Sequence, residues 1–292
     1  MALFLYIVAT AACDNSPTSP KDPVTFPTHR QIEVRVPAAG ASLAAGLLLP
    51  PTEGPHPVLI MVRGSYRWTR LSYDGFTANF VDRGIAVWTY DRRGAGESTG
   101  TYDNDVNDFP FYAEDVLANV CAARSRTEID AEKIGLYGFS QGGWIVPMAT
   151  AQSDDVAFTI IASGPAVTAG EEKLYSVLAG DDDCMRSELT EEEIDRRLEE
   201  AGPSLFDPRP FIEGMTRPAL RQYCTGDTSV PIRQSIAVSE EIRVSLGRDF
   251  TIQVFDGCNH NFVAGGGPCE AERLRVDWVS PMFDWLKPVL QS

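Results

Sequence analysis

The stretch Ile134-Gly135-Leu136-Tyr137-Gly138-Phe139-Ser140-Gln141-Gly142-Gly143-Trp144 passes from an apolar run directly into a serine flanked by glycines. Its second half fits the pattern G-x-S-x-G, in which a sharp turn between a strand and a helix presents a serine hydroxyl at the edge of a sheet. We therefore predict a strand at 133–139 and a helix at 142–151. The turn between them makes Ser140 a candidate nucleophile.

The same pattern occurs a second time, at Gly96-Glu97-Ser98-Thr99-Gly100. Ser98 lies several residues beyond the preceding apolar run and is followed by the polar residues 101–108. A serine of this kind needs a strand before it and a helix behind it, and Ser98 has neither close by. We predict that Ser98 is a turn serine.

Short apolar runs alternate with longer helical patterns on both sides of Ser140. This alternation is typical of an α/β fold, a mostly parallel sheet with helices on both faces. The predicted strands are an antiparallel pair at 31–37 and 42–50, then 57–62, 85–90, 156–162, 219–224 and 250–255. The remaining predicted helices are 73–82, 111–124, 231–246 and 270–286.

The alternation stops after Pro165, where residues 170–214 are acidic and helical and contain no strand candidate. The charges themselves are typical of a solvated helical face. The position of the segment, just before the strand at 219–224, is where a cap over a cleft is inserted. We predict one α/β domain at 31–292 that carries a small helical cap at about 166–216.

A catalytic serine needs a base, and the sequence has three histidines. His29 lies in a proline-rich segment, and His56 precedes its strand, at the edge of the sheet opposite the ligand-binding edge of α/β proteins. His260 follows the last predicted strand. It is therefore the candidate base.

An orienting acid is expected between the serine and the histidine along the chain. Asp227 follows the strand at 219–224 and so projects from the same edge as His260. Asp249 precedes its strand and lies at the opposite edge. Asp256 ends the last strand and is the rival, although it is only four residues from the histidine.

The composition is that of a folded chain with a strongly acidic balance. Hydrophobic residues make up 43% of the 292 residues and charged residues 23%, which is too apolar for a disordered chain. The net charge of −16 would repel a phosphate backbone, so no nucleic-acid partner is expected. A small-molecule substrate is expected instead, and the sequence leaves the oligomeric state open.

The N-terminus resembles a bacterial lipoprotein signal. Residues 1–12 are apolar or small apart from Thr10, too few to span a bilayer, and Thr10-Ala11-Ala12-Cys13 resembles a lipobox without a preceding basic residue. Residues 14–30 carry four prolines among polar residues and suit a tether. We predict an exported protein, periplasmic or anchored to a membrane through lipidated Cys13. A plain export signal and an unprocessed N-terminus are the alternatives.

The chain resembles the α/β-hydrolase superfamily, specifically bacterial esterases related to the serine-aminopeptidase and dienelactone-hydrolase branches. The resemblance extends from about Gln31 to the C-terminus. It rests on Val62-Arg63-Gly64-Ser65, Tyr90-Asp91-Arg92-Arg93-Gly94-Ala95-Gly96-Glu97-Ser98-Thr99-Gly100, Gly138 to Gly143, Phe206-Asp207-Pro208-Arg209-Pro210, Asp227 to Pro231 and Cys258-Asn259-His260-Asn261-Phe262.

The resemblance implies hydrolysis of carboxylic esters by Ser140, His260 and Asp227 through an acyl-enzyme intermediate, without a metal or cofactor. It places an oxyanion hole at the backbone N–H groups of Gln141 and Ser65. An aminopeptidase or amidase uses the same three residues. A non-catalytic lipoprotein that uses the fold as a binding module is the alternative from a different class.

The residues around this site suggest a substrate pocket. Relatives usually carry histidine where Arg63 stands, and Arg63 either pairs with an acid to brace its loop or faces the cleft to recognise a carboxylate. Tyr66, Trp68, Trp144 and Phe262 flank the site and are predicted to line an acyl pocket.

Six cysteines are present, and none has the CxxC spacing of a zinc or redox centre. Cys224 and Cys258 lie near the ends of two strands expected to be adjacent, just ahead of Asp227 and His260. We predict a disulfide between them that braces the two loops.

Overall fold

The structure is a computed structural model that describes residues 30–72, 74–180, 187–264 and 274–291. The predicted signal segment with Cys13, most of the tether and His29 lie outside these residues. None of the described helices is both long and apolar enough to cross a bilayer.

Eight of the described strands form one sheet: β1 (Arg30–Ala38), β2 (Ala41–Leu49), β3 (His56–Val62), β4 (Ala86–Tyr90), β5 (Ile129–Phe139), β6 (Phe158–Ala162), β7 (Ala219–Cys224) and β8 (Phe250–Phe255). Their order across the sheet is β1-β2-β4-β3-β5-β6-β7-β8. The strands β1 and β2 are antiparallel, β2 runs antiparallel to β4, and the other neighbours are parallel.

The described helices are α1 (Asp74–Val81), α2 (Phe109–Arg124), α3 (Gly142–Thr150), α4 (Ala169–Ala179), α5 (Glu191–Ala201), α6 (Arg209–Gly214), α7 (Ile232–Leu246) and α8 (Val279–Val289). A short 3₁₀ turn at Val106–Asp108 precedes α2. Helices alternate with the strands of this sheet along the chain, which confirms the predicted α/β class.

Apolar layers cover both faces of the sheet. On one face α2 and α3 pack on the strands through residues such as Val116 and Ile145, and on the other α1 and α8 pack through Phe80 and Met282. Every residue of β6 and β7 is buried. Burial on both faces explains why the central strands are continuous apolar runs in the sequence.

Three helices, α4 to α6, occupy most of the segment between β6 and β7. The first begins with a capping box, in which the Thr168 side chain and the Glu171 side chain each bond the other's backbone N–H. Ala179 of α4 packs with Ile194 and Leu198 of α5 in a small apolar cluster separate from the two sheet layers. Residues 181–186 of this segment lie outside the described part.

The last helix begins later than the sequence predicts. The prediction placed it at 270–286, but a short strand pair, β9 (Val263–Ala264) with β10 (Leu274–Arg275), comes first and α8 begins at Val279. The carboxylate of Asp277 accepts the N–H of Ser280 at 3.0 Å. This contact and Pro281 in the first turn, where no N–H is needed, fix the start of the helix.

Candidate active site

The parallel strands β5, β6, β7 and β8 are neighbours, so their carboxyl ends lie along one edge of the sheet. Ser140 follows β5, Asp227 lies three residues beyond β7, and His260 lies five residues beyond β8. The fold therefore brings to one edge three residues that are far apart in the chain.

Ser140 stands in a strained turn between β5 and α3. Its φ is 52°, in the left-handed region that residues with a side chain rarely adopt. The turn is held by a bond from Ser140 N–H to the carbonyl of Ala162 at 3.2 Å and by one from Gly143 N–H to the carbonyl of Ser140 at 2.7 Å. This is the strand-turn-helix geometry that the G-x-S-x-G pattern predicts.

The first and last glycines of the pattern are required by close backbone approach. A Cβ on Gly138 would lie 2.8 Å from the carbonyl oxygen of Gly142, and a Cβ on Gly142 would lie 2.7 Å from the carbonyl oxygen of Val62. Either side chain would push α3 away from the sheet and move the serine.

His260 is paired with Asp227. The His260 Nδ1 atom lies 2.8 Å from Oδ2 of the carboxylate, whose other oxygen accepts the N–H groups of Ser229 and Val230, both at 2.9 Å. The Asp227 side chain is fully buried, while that of His260 retains 16% exposure. A carboxylate fixed in this way favours the tautomer that has its proton on Nδ1, so that the lone pair able to accept a proton is on Nε2.

The acid and base loops are joined covalently. Cys224 and Cys258 form a disulfide with a Cα separation of 5.1 Å, which confirms the predicted pairing. Beside it, the Gly226 N–H donates to the carbonyl of Cys258 at 2.9 Å. The loops that carry Asp227 and His260 are thus held together at their bases.

Contacts to the ends of β5 and β6 place His260 beside the serine turn. Its ring centroid lies 5.1 Å from that of Phe139, the residue before Ser140. Its backbone carbonyl accepts the hydroxyl of Ser163, the residue after β6, at 2.8 Å.

Backbone strain is concentrated around this edge. Of the described residues other than glycine, six have a positive φ, and all except Leu205 belong to loops that flank the site: Tyr66, Asn104, Ser140, Ser163 and Phe262. Such strain persists only where the surroundings impose it, and it is common at functional sites.

The rival residues take other positions. Asp256 is exposed in the turn after β8, whereas the described carboxylate that contacts the His260 ring belongs to Asp227. His56 is buried at the opposite end of β3, where its N–H donates to the carbonyl of Glu128. Asp249 precedes β8, also at the opposite edge.

Ser98 has a structural role, as predicted. Its hydroxyl donates to the carbonyl of Asp91 at 2.7 Å and accepts the N–H of Ala44 at 2.9 Å. The first bond closes the loop after β4 on itself, and the second fastens that loop to β2.

The predicted oxyanion donors lie on two segments that meet at the serine. A Cβ on Gly64 would lie 3.0 Å from Cβ of Ser140 and 3.5 Å from its Oγ, so the loop after β3 runs beside Ser140. Within the described chain, the N–H groups of Ser65 and Gln141 donate to no protein acceptor. Both remain available to a ligand.

Arg63 and Trp68 brace the loop after β3. The guanidinium of Arg63 lies 4.5 Å from the Trp68 ring centroid and donates to the carbonyl of Ser72. The Trp68 Nε1–H donates to the carbonyl of Ser65 at 3.1 Å. These contacts hold Arg63 against its own loop, and its role toward a substrate stays a prediction.

Two of the predicted pocket residues lie in the core. Trp144 is buried, stacks on Phe109 and donates to the carbonyl of Val167, and Phe262 is 1% exposed and stacks on Trp278. Their burial gives them packing roles, which a sequence position beside the site does not reveal. Tyr66, in the loop after β3, is by contrast 74% exposed.

Two residues that contact the candidate site were not among the predicted site residues. Tyr175 of α4 donates its hydroxyl to the backbone carbonyl of Asp227 at 2.9 Å, and burial, aided by the nearby Asp227 carboxylate, raises its pKa to about 12. Arg92 lies behind the serine turn and contacts Gln141. The sequence signals for Arg92 are its position just after β4 and its place in the motif at residues 90–100, neither of which assigns it a role, and Tyr175 carries no signal.

The described residues contain no group of three or more histidine, cysteine or acidic side chains arranged to hold a metal ion.

A family model described as "Serine aminopeptidase, S33" matches residues 54–181. The quorum-quenching protein AidA of Acinetobacter baumannii is 30% identical over 134 residues, which are 46% of this chain and 43% of that protein. The chain thus matches less than half the length of this curated relative.

Two solved structures extend the likeness to most of the chain. Acetyl xylan esterase 1 from Thermoanaerobacterium is 18% identical, with a TM-score of 0.62 over 93% of this chain and 89% of that one. The alpha/beta hydrolase GrgF from Penicillium is 18% identical, with a TM-score of 0.61 over 89% of this chain and 98% of that one. At such low identity these matches establish the fold, which is that of the α/β hydrolases.

Proposed function

We propose that this chain, a relative of the α/β hydrolases, is a serine hydrolase that cleaves carboxylic esters through an acyl-enzyme intermediate. The observation that carries the proposal is the 2.8 Å contact between His260 Nδ1 and the buried Asp227, beside the strained turn that bears Ser140. A histidine with a purely structural role needs no serine hydroxyl nearby, whereas a general base needs a hydroxyl within reach.

In the first step the Ser140 hydroxyl attacks the carbonyl carbon of the ester while Nε2 of His260 takes its proton. The carbonyl π electrons move to the oxygen, which becomes an oxyanion. When this intermediate collapses, the alcohol leaves with the proton that His260 returns. Water then attacks the acyl-enzyme in the same way and releases the acid and the free serine.

The N–H groups of Ser65 and Gln141 would bind the oxyanion. Fixed donors of this kind contribute about 3 to 4 kcal/mol each to transition-state stabilisation, because they are aligned before the charge develops. Asp227 holds the imidazole in its tautomer and stabilises the imidazolium, which forms during each proton transfer.

The likeness to a serine aminopeptidase family supports a second candidate, an aminopeptidase or amidase that uses the same three residues. Nothing in the triad distinguishes an ester from an amide, since both reactions pass through the same tetrahedral oxyanion. The leaving group and its pocket decide between them.

A substrate series separates the candidates. Turnover of p-nitrophenyl esters, lost in Ser140→Ala, supports the esterase. Turnover restricted to aminoacyl p-nitroanilides supports the aminopeptidase. If neither series is turned over while the folded protein still binds a ligand, the chain is the non-catalytic binding module.

We also propose that the protein is exported and that Cys13 is lipidated. The Cys224–Cys258 disulfide supports export, because disulfides persist in oxidising compartments. In a bacterial host, Cys13→Ser should release the protein from the membrane fraction. An intact mass that shows unmodified Met1 in native material would contradict this proposal.

A further inference from the structure

Arg92 is a buried cation. Among the described residues, both hydrogen-bond acceptors of its guanidinium are neutral groups. Its side chain leaves the loop after β4, and the residue is 5% exposed. Its Nη1 donates to Oε1 of Gln141 at 2.8 Å, and its Nη2 donates to the carbonyl oxygen of Arg63 at 2.9 Å. Among the described residues, no carboxylate forms an ion pair with it.

These two acceptors belong to the two segments that carry the oxyanion donors. Gln141 supplies one donor through its own N–H, and Arg63 lies two residues before Ser65, which supplies the other. A single guanidinium therefore joins both halves of the oxyanion hole. The rigid fork of arginine suits this role, because it fixes two acceptors at once.

The guanidinium is itself held by aromatic rings. It lies 4.6 Å from the centroid of the Tyr102 ring and 5.3 Å from that of Tyr112. Such cation–π contacts favour a cation over the ring face and restrict its position. Arg92 is therefore a fixed support for the segments that it joins.

A second set of bonds completes the bracing. The Gln141 Nε2–H donates to Oδ1 of Asn104 at 2.8 Å, and the Tyr102 hydroxyl donates to the same oxygen at 2.6 Å. The Tyr102 hydroxyl in turn accepts the N–H of Tyr66 at 3.0 Å. Ser65 thus lies between two anchored points, the carbonyl of residue 63 and the N–H of residue 66.

We propose that Arg92 is the positioning residue of the oxyanion hole. By holding the Gln141 side chain and the Arg63 carbonyl, it keeps the N–H groups of Ser65 and Gln141 directed at one oxygen atom. Its charge, with which no carboxylate of the described residues forms a salt bridge, also favours an oxyanion over a neutral carbonyl. This inference rests on the proposed serine hydrolase function, and Arg92 itself does not touch the substrate.

The test replaces Arg92 by lysine, which keeps the charge but has no fork to reach both acceptors. Removal of one oxyanion donor costs about 10²- to 10³-fold in kcat, so misalignment in Arg92→Lys should lower kcat about 10- to 100-fold while KM changes little. Gln141→Ala keeps its backbone N–H but loses the side-chain link. Gln141→Ala should therefore also lower kcat while KM changes little.

The deciding readout is the inhibition constant of an aryl trifluoromethyl ketone, which adds to the serine to form an oxyanion. Its affinity should fall in both variants by about the same factor as kcat/KM. The affinity of the matching methyl ketone, which stays neutral, should not change. If the two ketones lose affinity equally, or neither does, Arg92 does not position the oxyanion hole.

Arg93→Lys is the matched control. Arg93 is also buried, but its guanidinium bonds both oxygens of Asp115, at 2.7 and 2.8 Å, and touches neither oxyanion segment. This variant should lower the melting temperature and leave the ratio of the two ketone affinities unchanged. A ratio that shifts as much as in Arg92→Lys would overturn the proposal.

Asn104→Ala keeps the proposal testable if Arg92→Lys does not fold. Asn104 is exposed, so its loss frees the Gln141 amide at little cost to the core. The ketone ratio should shift in the same direction by a smaller factor, and an unchanged ratio would count against the network.

Turnover retained by Ser140→Ala would overturn the hydrolase function itself, whereas full activity of Arg92→Lys beside an inactive Ser140→Ala would overturn only the role of Arg92.

Discussion

The hydroxyl of Tyr175 donates a 2.9 Å hydrogen bond to the backbone carbonyl of Asp227. Tyr175 belongs to α4, in the helical segment between β6 and β7, and the Asp227 carboxylate contacts the ring of His260. The inserted helices are therefore fastened to the acid loop itself.

The change Tyr175→Phe removes the hydroxyl that makes this bond and keeps the ring. The bond should contribute about 1 kcal/mol to the free energy of unfolding, and because it holds the loop that carries Asp227, its loss should also lower kcat, by at most about fivefold. Steady-state kinetics measure the loss. Val177→Ala, at an exposed position of the same helix, serves as the control and should leave kcat unchanged. Unchanged kcat in Tyr175→Phe would show that the bond supports only the fold.

The contribution of this bond to stability should depend on pH, because the pKa of Tyr175 is raised to about 12 in the folded protein. Because the folded pKa exceeds the ordinary tyrosine value of about 10, the bond's contribution to stability is complete below that value and is lost as the pH rises through about 12. The difference in unfolding free energy between wild type and Tyr175→Phe should thus be constant between about pH 6 and 9. A difference that declines within this window would contradict the assignment.

Replacement of Cys224 and Cys258 by serine should loosen the two loops that carry the acid and the base. The bridge closes a loop with a sequence separation of 34, for which the chain-entropy model gives about 3 to 4 kcal/mol of stability. Urea unfolding should show a loss of this order, and kcat should fall more than KM changes. Wild type in the absence of reductant is the reference. Full activity and stability of the double variant would contradict a bracing role.

The two aspartates near His260 should differ strongly. Asp227→Asn should lower kcat about 10⁴-fold, because the amide stabilises the wrong imidazole tautomer. Asp256→Asn is the control, and since its side chain is exposed after β8, little change is expected. Similar losses in both variants would show that the acid is not uniquely Asp227.

Ser98→Ala should affect folding rather than catalysis. The hydroxyl satisfies both the Ala44 N–H and the Asp91 carbonyl, so its removal leaves buried groups unpaired, at a cost of about 1 to 3 kcal/mol. The melting temperature should fall while kcat of the folded enzyme is kept. A loss of kcat without a loss of stability would contradict this role.

The sequence was sufficient to predict the positions of Ser140, Asp227 and His260 at one edge of the sheet. Each follows a parallel strand, and the carboxyl ends of such strands must lie at the same edge. The disulfide followed for the same reason, because β7 and β8 pair from Ala219 with Phe250 to Cys224 with Phe255. Alternation and strand direction therefore determine this part of the site.

Contacts made by side chains that reach across loops were not predictable. Arg92 meets Gln141 across 49 positions, and Tyr175 meets Asp227 across 52, with no periodic pattern to signal either. The same limitation explains why Trp144 and Phe262, which are near the site in sequence, proved to be core residues. The direction of an individual side chain is decided by packing.

Labelling with a fluorophosphonate probe, followed by peptide mapping, tests the catalytic account most directly, because the probe bonds only to a serine activated by its base. We expect one labelled peptide, containing Ser140, with labelling abolished in Ser140→Ala and strongly slowed in His260→Ala. Recovery of the label on the Ser98 peptide, or undiminished labelling of Ser140→Ala, would contradict it.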